Sequence, residues 1–399
     1  MYAHGVKRRQ FMQALAASTP LLFDAELLAG QDPWDRVRDL FLIPRNRIYL
    51  NVGTLGAQPR TVVHAVEDAT RKVAESLPPG VPWEAIKQKT AALIDCDAAG
   101  LVFPRNTTEA MNFIANGLDY REGDHIVTTN HEHIGGLCCW ELVAARFKLQ
   151  LTQVDIGIVP QEPQEVFERI RRAITPRTRV VSVSHVNFTT GFIMPVREIV
   201  ELCRQRDIIS VIDGAHPPGL MHMSVRQLNP DFYAGSPHKW LLAPQGTGLL
   251  WMAEEWRTKL WPSVASGDWN NKALGAHRFN HLGTLDESRF AGLLAALEFF
   301  ELVGPSRIYA RIEQLRHALL SGLADIRGIQ MATPFSQSAG MISFKHPRLA
   351  SLELQKVLGA RNVRTRVIGE YNYGWMRLSP HIYNTIDEIG RVIDLIGSA

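Results

Sequence analysis

The 399-residue sequence has no long apolar run, no basic tract and few cysteines. None of its apolar stretches reaches the length of about 20 residues that a membrane-spanning helix needs, so we expect no membrane partner. Its 43 lysines and arginines are nearly balanced by 40 aspartates and glutamates, and basic residues do not alternate with aromatic ones. This charge balance argues against nucleic acid as a partner.

The cysteines match neither a metal site nor a disulfide scaffold. Their spacing fits no metal-ligand pattern, and two of them are adjacent in the chain. A reducing compartment is the simplest expectation for such a protein. The four cysteines are Cys96, Cys138, Cys139 and Cys203.

The N-terminal segment, residues 1–30, complicates that expectation. Arg8-Arg9 resembles a twin-arginine export signal placed before a modestly apolar stretch. Asp24 and Glu26 interrupt the stretch soon after it begins, and no clear cleavage site follows. The sequence therefore leaves two locations open, the cytoplasm and export to the periplasm.

A change of pattern near residue 287 divides the rest of the chain into two predicted domains. Over residues 51–286, strand-like and helix-like segments alternate, which favours an α/β domain with a mostly parallel sheet covered by helices. Residues 287–399 begin with two long amphipathic helices and continue with short strands and helices, which indicates a smaller α+β domain. Residues 31–50 are predicted to be an N-terminal segment that packs with the small domain.

The segments behind this division are assigned from hydrophobic periodicity. The predicted helices are 61–77, 82–94, 164–174, 195–206, 290–302, 308–323, 352–358 and 386–396. The predicted strands are 48–54, 101–104, 126–129, 151–155, 180–184, 208–213, 248–251, 341–344, 363–368 and 376–379.

One lysine and one aspartate carry the main chemical signal. Lys239 lies between a short apolar run and a glycine-containing turn, where desolvation can remove its proton and make it a nucleophile. Asp213 ends an apolar run 26 residues earlier. A lysine that forms a Schiff base and an acid that pairs with a pyridinium nitrogen are the minimum set for pyridoxal 5′-phosphate, PLP.

Other polar residues collect where predicted strands end, at the edge where ligands bind in parallel sheets. Thr107 and Thr108 begin a predicted helix whose free N–H groups can bind an anion. The histidines leave a second interpretation open, a metal-dependent hydrolase with His131-x-His133 as its nearest ligand pair. This alternative explains neither Lys239 nor Asp213. The histidines in question are His131, His133, His185, His216 and His238.

Several fragments in this order resemble the class V aminotransferase family of PLP enzymes, which has fold type I. The likeness covers roughly residues 48–396 and is closest to isopenicillin N epimerase-like proteins. The fragments are Thr107-Thr108-Glu109-Ala110, Asn130-His131-Glu132-His133, His185-Val186-Asn187, Asp213-Gly214-Ala215-His216, Ser236-Pro237-His238-Lys239, Gly283-Thr284 and the run from Arg377 to Thr385.

The resemblance implies a role for each matching residue. Lys239 forms the Schiff base and moves the α-proton, Asp213 keeps the ring nitrogen protonated, and His133 stacks on the ring face opposite the lysine. Asn187 and His216 reach the ring oxygen, and Arg377 and Asn51 bind the substrate. The phosphate ligands are Thr107, Thr108, Ser236 and His238, together with Thr284 from a neighbouring subunit, so the resemblance also implies a homodimer.

The reaction itself stays open among three outcomes. The likeness favours an epimerase or racemase acting at the α-carbon of an amino acid or a compound derived from one. A C–S β-lyase of the ergothioneine type and a transaminase are the alternatives. Persulfide-forming desulfurases of the family need a cysteine in the C-terminal third, and here no cysteine follows Cys203. We expect a small-molecule substrate whose side chain the sequence does not reveal.

Overall fold

A computed structural model describes residues 33–160 and 162–399. The leader-like prediction for residues 1–30 lies outside the described residues. The α-helices are α1 (Pro33–Asp39), α2 (Arg60–Ala74), α3 (Trp83–Ile94), α4 (Thr107–Gly117), α5 (Ile134–Phe147), α6 (Pro163–Ala173), α7 (Val196–Gln205), α8 (Val225–Leu228), α9 (Trp256–Lys259), α10 (Ser288–Val303), α11 (Pro305–Ala324), α12 (Ser351–Ala360) and α13 (Ile386–Ser398).

The strands form three sheets, one of which is large. The strands are β1 (Ile48–Tyr49), β2 (Leu101–Val102), β3 (His125–Thr129), β4 (Gln150–Val154), β5 (Thr178–Ser184), β6 (Ile209–Gly214), β7 (Phe232–Gly235), β8 (Leu249–Met252), β9 (Gln330–Met331), β10 (Ile342–Lys345), β11 (Val363–Arg364), β12 (Arg366–Ile368) and β13 (Trp375–Leu378).

The large sheet has seven strands in the order β2-β8-β7-β6-β5-β3-β4. The pairs from β7 through to β4 are parallel, and β8 alone runs antiparallel to both of its neighbours. Strands β6 and β7 are buried along their whole length because helices cover both faces, so they are runs of apolar residues without alternation. The predicted α/β fold with a mostly parallel seven-stranded sheet is confirmed.

The C-terminal part contains an antiparallel sheet in the order β12-β13-β10-β9. Its core includes Leu319, Phe344 and Val392, from α11, β10 and α13. The segment 363–368, predicted to be one strand, is two strands in the structure, because β11 pairs with β1 and β12 pairs with β13. Through β1 and β11, the chain before residue 50 joins the C-terminal part.

Helix α10 packs against α2 and α3, so it lies against helices from the first half of the chain. Phe290 of α10 contacts Trp83 at the start of α3, with ring centroids 4.5 Å apart. The predicted division at 286/287 stays a prediction, and in the structure the two halves share a continuous core there. Within the described ranges, no helix combines the length and the apolarity that crossing a bilayer requires.

The sequence missed six elements, α1, α5, α8, α9, β7 and β9. Helix α5 follows directly after the Asn130-His131-Glu132-His133 run, and β7 is the short apolar run before Lys239. The predicted helix 61–77 ends at Ala74, because Ser76 has a left-handed backbone with φ 59°. Two of the missed elements matter at the site, since α5 contributes Gly135 and Gly136 to it and β7 leads directly into Ser236.

Candidate active site

A cavity of about 290 Å³ lies beyond the carboxyl ends of the parallel strands β3, β5, β6 and β7. The edge where parallel strands end is the usual ligand site of such sheets. The cavity brings together nine of the predicted site residues, namely Thr107, Thr108, His133, Asp213, His216, Ser236, His238, Lys239 and Arg377.

Lys239 follows β7, and its amine lies beside the imidazole of His216. Its Nζ lies 3.3 Å from His216 Nε2, while His216 Nδ1 accepts a hydrogen bond from Trp240 Nε1 at 3.0 Å. A neutral His216 therefore carries its proton on Nε2 and presents it to the lysine, which suits an unprotonated amine. Burial lowers the pKa of Lys239 to about 7, although Asp213 acts in the opposite direction.

The backbone around Lys239 is tightly packed against the segment that contains Gly56. Gly56 N donates to His238 O at 2.8 Å, and a Cβ at Gly56 would lie only 2.2 Å from Lys239 O. Leu242 has φ 62°, a left-handed conformation that costs energy for a residue other than glycine. This packing fixes the position from which the lysine side chain extends.

Asp213 lies at the end of β6 and is almost fully buried. Its Oδ1 accepts the backbone N–H of Ala215 at 3.0 Å. Burial raises the pKa of Asp213, while Lys239 and the Ala215 N–H act against that rise. A cationic partner placed beside this carboxylate would therefore be strongly favoured.

His133 caps the N-terminus of α5. Its Nδ1 accepts the backbone N–H of Gly135 at 3.0 Å, so the neutral ring carries its proton on Nε2. Burial, followed by the nearby Lys239, lowers the pKa of His133 to about 4. The ring meets Phe188 edge to face at 5.0 Å. His133 is thus a neutral ring with a single donor.

Two glycines at the start of α5 leave space in the cavity. A Cβ on Gly135 would lie 2.3 Å from Thr108 Oγ1, and a Cβ on Gly136 would lie 2.7 Å from Asp213 Oδ2. Both glycines line the cavity. The close approach of α5 to Asp213 therefore requires residues without side chains.

The cavity wall near Lys239 contains hydroxyl groups and a helix terminus. Thr107, the first residue of α4, lies 2.6 Å from Ser236 between the two side-chain oxygens. Asn106 caps the helix by accepting Glu109 N at 2.9 Å. His238 Nδ1 lies 3.2 Å from Thr247 O, so this nitrogen carries the proton. Hydroxyls and free N–H groups at a helix start make a site for a phosphate.

Arg377 occupies the opposite wall and has no anionic partner among the described residues. The residue is 1% exposed, and its guanidinium donates to Phe188 O at 2.8 Å and to Thr54 Oγ1 at 3.0 Å. Its Nε has no hydrogen-bond partner. Burial, followed by the nearby Arg366, lowers the pKa of Arg377 to about 9, although Glu370 acts in the opposite direction without forming an ion pair with Arg377. A buried cation without a counter-ion favours binding of a carboxylate.

Three predicted residues lie outside the cavity lining. Asn187 is fully buried, and both atoms of its amide lack hydrogen-bond partners. Asn51 Oδ1 accepts from Thr54 Oγ1 at 2.9 Å, so Asn51 acts on the cavity only through Thr54. Thr284 is exposed, between two residues that line a separate cavity of about 540 Å³. Its assignment concerns a second subunit and stays a prediction.

Sequence reasoning missed several residues that line the cavity. Ser184 ends β5 and donates to the buried carboxylate of Glu132 at 2.5 Å. Thr54 lies on the turn after β1, and Arg366 on β12 forms an ion pair with Glu370. The position of Ser184 at a strand end is a usable signal. No sequence signal of this kind joins Thr54 to Arg366 or Arg377, because these contacts link residues more than 300 positions apart.

The alternative histidine metal site is not assembled. His131 lies against Thr189 Oγ1 at 2.6 Å and Gly157 O at 2.7 Å, and His185 Nδ1 lies 2.9 Å from Tyr233 OH. These two rings are satisfied core histidines. In the part of the chain that the structure describes, no three His, Cys, Asp or Glu side chains converge as a metal site would require.

Comparison with known proteins places this geometry in a family. The model of the aminotransferase class V family matches residues 80–392. The chain belongs to this family. Class V members act on small amino-acid substrates, and the chain is a PLP-dependent enzyme of this class.

The relatives of the chain include enzymes that are named for different reactions. The chain is 31% identical to the isopenicillin N epimerase of Streptomyces clavuligerus, with 91% of this chain and 97% of that protein aligned. It is 27% identical to a probable cysteine desulfurase of Methanothermobacter thermautotrophicus, over 88% and 94% of the two chains. A C-DES variant with glycine covalently linked to its PLP cofactor has the same fold, with a TM-score of 0.81, 23% identity and coverage of 90% and 98%.

The residues of the cavity fit PLP. The amide of Asn187 lacks partners in a buried setting that normally demands them, and Gly135 and Gly136 keep the space beside Asp213 clear. Lys239 has a lowered pKa, and hydroxyls line the wall beside the start of α4. A phosphate ester with an aldehyde and a basic ring nitrogen suits this set of groups, and the family match confirms the cofactor predicted from the sequence.

Proposed function

We propose that the protein is a PLP-dependent epimerase or racemase that acts at the α-carbon of an amino acid or an amino-acid derivative. The similarity to isopenicillin N epimerase along nearly the whole chain carries this proposal. The cavity also argues against a sulfur-transfer reaction, because none of the four cysteines lines the cavity and three of them are buried.

The cofactor would be held by groups that gather beyond the carboxyl ends of the parallel strands. Lys239 would bind its aldehyde carbon and Asp213 its ring nitrogen, with His133 on the ring face opposite the lysine. Asn187 and His216 would bind the ring oxygen. The phosphate would be bound by Thr107, Thr108, Ser236 and His238. When bound, PLP supplies an electron-accepting ring that stabilises negative charge at the α-carbon of the substrate.

Lys239 would move the α-proton on one face. Its lowered pKa leaves much of the amine unprotonated at neutral pH, so Nζ can accept a proton once substrate has released it. The Nε2–H of His216, 3.3 Å from Nζ, would orient the lone pair of the amine.

The opposite face would be served through His133. Strands β5 and β6 separate β3 from β7, so His133 and Lys239 reach the cavity from different sides of Asp213. Since His133 presents Nε2–H, it would bind a water molecule that delivers or removes the proton on that face. Epimerisation needs a proton carrier on each face, and under this proposal Lys239 and the water bound by His133 would be the two carriers.

Arg377 would bind the α-carboxylate of the substrate. Its planar guanidinium suits two parallel hydrogen bonds, and its other contacts are to neutral oxygens. Asn51 would act indirectly, by holding the Thr54 hydroxyl that contacts Arg377. We also propose a homodimer in which Thr284 of one subunit reaches the phosphate site of the other.

Incubation of the holoenzyme with a panel of amino acids and peptides in deuterated water tests the reaction. We expect α-deuterium and the opposite enantiomer in the recovered substrate, detected by NMR and chiral chromatography. Recovery of every compound without deuterium or inversion would contradict the proposal. Release of pyruvate and ammonia would show a β-lyase instead, and an absorbance change to the pyridoxamine form would show transamination.

A further inference from the structure

The two arginines of the cavity differ in their partners. Arg377 donates to neutral oxygens, whereas Arg366 forms an ion pair with Glu370. The two guanidiniums extend from neighbouring strands, where Arg366 is paired in register with Arg377. Both donate to Thr54 Oγ1, at 3.3 Å from Arg366 and 3.0 Å from Arg377. The Thr54 hydroxyl thus accepts from both arginines, and of the two only Arg366 forms an ion pair with a carboxylate of the protein.

Glu370 is held in its place by the segment that carries it. The hydroxyl of Tyr371 donates to Glu132 O at 2.7 Å, and the hydroxyl of Tyr373 donates to Asn130 O at 3.0 Å. Tyr371 has φ 55°, a conformation that such contacts must hold in place. The backbone after Glu370 is therefore anchored to the loop that carries His133, and the carboxylate stays beside Arg366.

The two arginines and Glu370 together carry one net positive charge, so a single additional anion neutralises this end of the cavity. Arg366 and Arg377 supply two positive charges, and Glu370 supplies one negative charge. A single substrate carboxylate at Arg377 completes the balance. A second carboxylate reaching Arg366 would lie beside Glu370, and like charges at short range in a partly buried site repel.

We propose that Glu370 is a specificity-determining residue that occupies Arg366 and limits the site to substrates with one carboxylate near the two arginines. The substrate class is then an amino acid or derivative whose side chain is uncharged where it passes Arg366. This inference rests on the proposed binding of the α-carboxylate at Arg377. Side-chain exposures of 24% for Arg366 and 26% for Glu370 leave the pair within reach of a bound molecule.

Binding of unreactive carboxylates to the holoenzyme, measured by calorimetry, tests the proposal without turnover. The wild-type enzyme should bind succinate no more than about 3-fold more tightly than propionate. In Glu370→Gln, succinate should bind at least about 10-fold more tightly than in the wild type, because Arg366 becomes free for the second carboxylate. Propionate binding should change little.

Matched variants isolate the cause. The double variant Arg366→Gln/Glu370→Gln should lose the gain in succinate binding. Glu165→Gln breaks an exposed pair with Arg169 that has the same spacing in sequence, and it should leave both affinities unchanged. Glu370→Ala gives a second test of the same carboxylate, and melting temperatures identify any variant that has not folded.

Three results would overturn the proposal. Succinate affinity could stay at the wild-type value in both Glu370 variants, the gain could persist in the double variant, or the wild type could already prefer succinate strongly. Arg377→Gln should abolish propionate binding, and survival of that binding would remove the assumption on which the inference rests. A missing epimerase reaction would leave these affinities unaffected, so the two proposals fail separately.

Discussion

The two ends of the active-site cavity are built in different ways. At the cofactor end, Lys239 and Asp213 lie at the ends of adjacent parallel strands, and each is close in sequence to the apolar run that places it. At the carboxylate end, Arg377 and Arg366 meet a threonine from the turn after β1, more than 300 residues away in sequence. The cofactor end therefore follows from local sequence patterns, whereas the carboxylate end forms only when distant parts of the chain come together.

The two ends also balance charge differently. Asp213 and Lys239 are opposite charges within one cavity, and each moves the pKa of the other toward ionisation. Arg377 and Arg366 have the same charge, and each relies on an anion from elsewhere. We therefore expect variants at the cofactor end to abolish chemistry, and variants at the carboxylate end to weaken binding.

Lys239→Ala should have the largest effect. Activity should fall by at least about 10²–10⁴-fold, because a proton carrier and the covalent attachment are lost together. Borohydride reduction should no longer fix cofactor to the protein, as judged by mass spectrometry. Lys345→Ala, at an exposed position on β10, is the control and should retain both properties. Undiminished turnover in Lys239→Ala would refute the assigned role.

Arg377→Gln should mainly raise KM, with kcat/KM lower by about 30-fold to 3,000-fold, the usual result of removing one partner of a buried charge pair. The melting temperature of the substrate-free enzyme should change little, because the variant loses hydrogen bonds to Phe188 O and Thr54 but also removes a buried charge without a counter-ion. Arg316→Gln is the comparison, since Arg316 is buried with Glu313 as its ion partner and should lose stability. An equal loss of stability in both variants would argue for a structural role of Arg377.

Asn187→Leu should separate cofactor binding from folding. Without PLP, the variant should be more stable by about 1–3 kcal/mol, because it removes buried polar atoms that lack partners. The stabilisation of the protein by added PLP should be smaller than in the wild type. Asn384→Leu should instead destabilise the protein, since the Asn384 amide contacts His381 N and Glu388. Thermal melts with and without PLP measure both effects.

Glu132→Gln should have the smallest effect, confined to pH dependence. Burial raises the pKa of Glu132 to about 7, above its unfolded value of 4.5. Because the folded pKa is the higher one, this group makes the unfolding free energy fall as pH rises from about 4.5 to about 7. Glutamine should remove this part of the slope in denaturant melts from pH 4.5 to 8. An unchanged slope would show that Glu132 is ionised throughout.

The cofactor end could largely be predicted from the sequence. Desolvated nucleophiles at strand ends leave a local pattern, so Lys239, Asp213 and the start of α4 were found. Asn187 was assigned by resemblance alone, and the structure adds that its amide lacks partners. The contacts of Thr54 with Arg366 and Arg377 could not be found this way, because they join residues more than 300 positions apart, although the Arg366–Glu370 pair itself spans only four residues.

The sequence alone determined the fold class through apolar periodicity and the cofactor through Lys239 and Asp213, and the resemblance of its short motifs indicated the family, because all of these are local properties of the chain. Only the tertiary structure decided which groups face one another. The register of β12 against β13 puts two cations side by side, and the turn after β1 places the hydroxyl between them. The charge balance of a binding site depends on such distances, and the order of residues along the chain does not contain them.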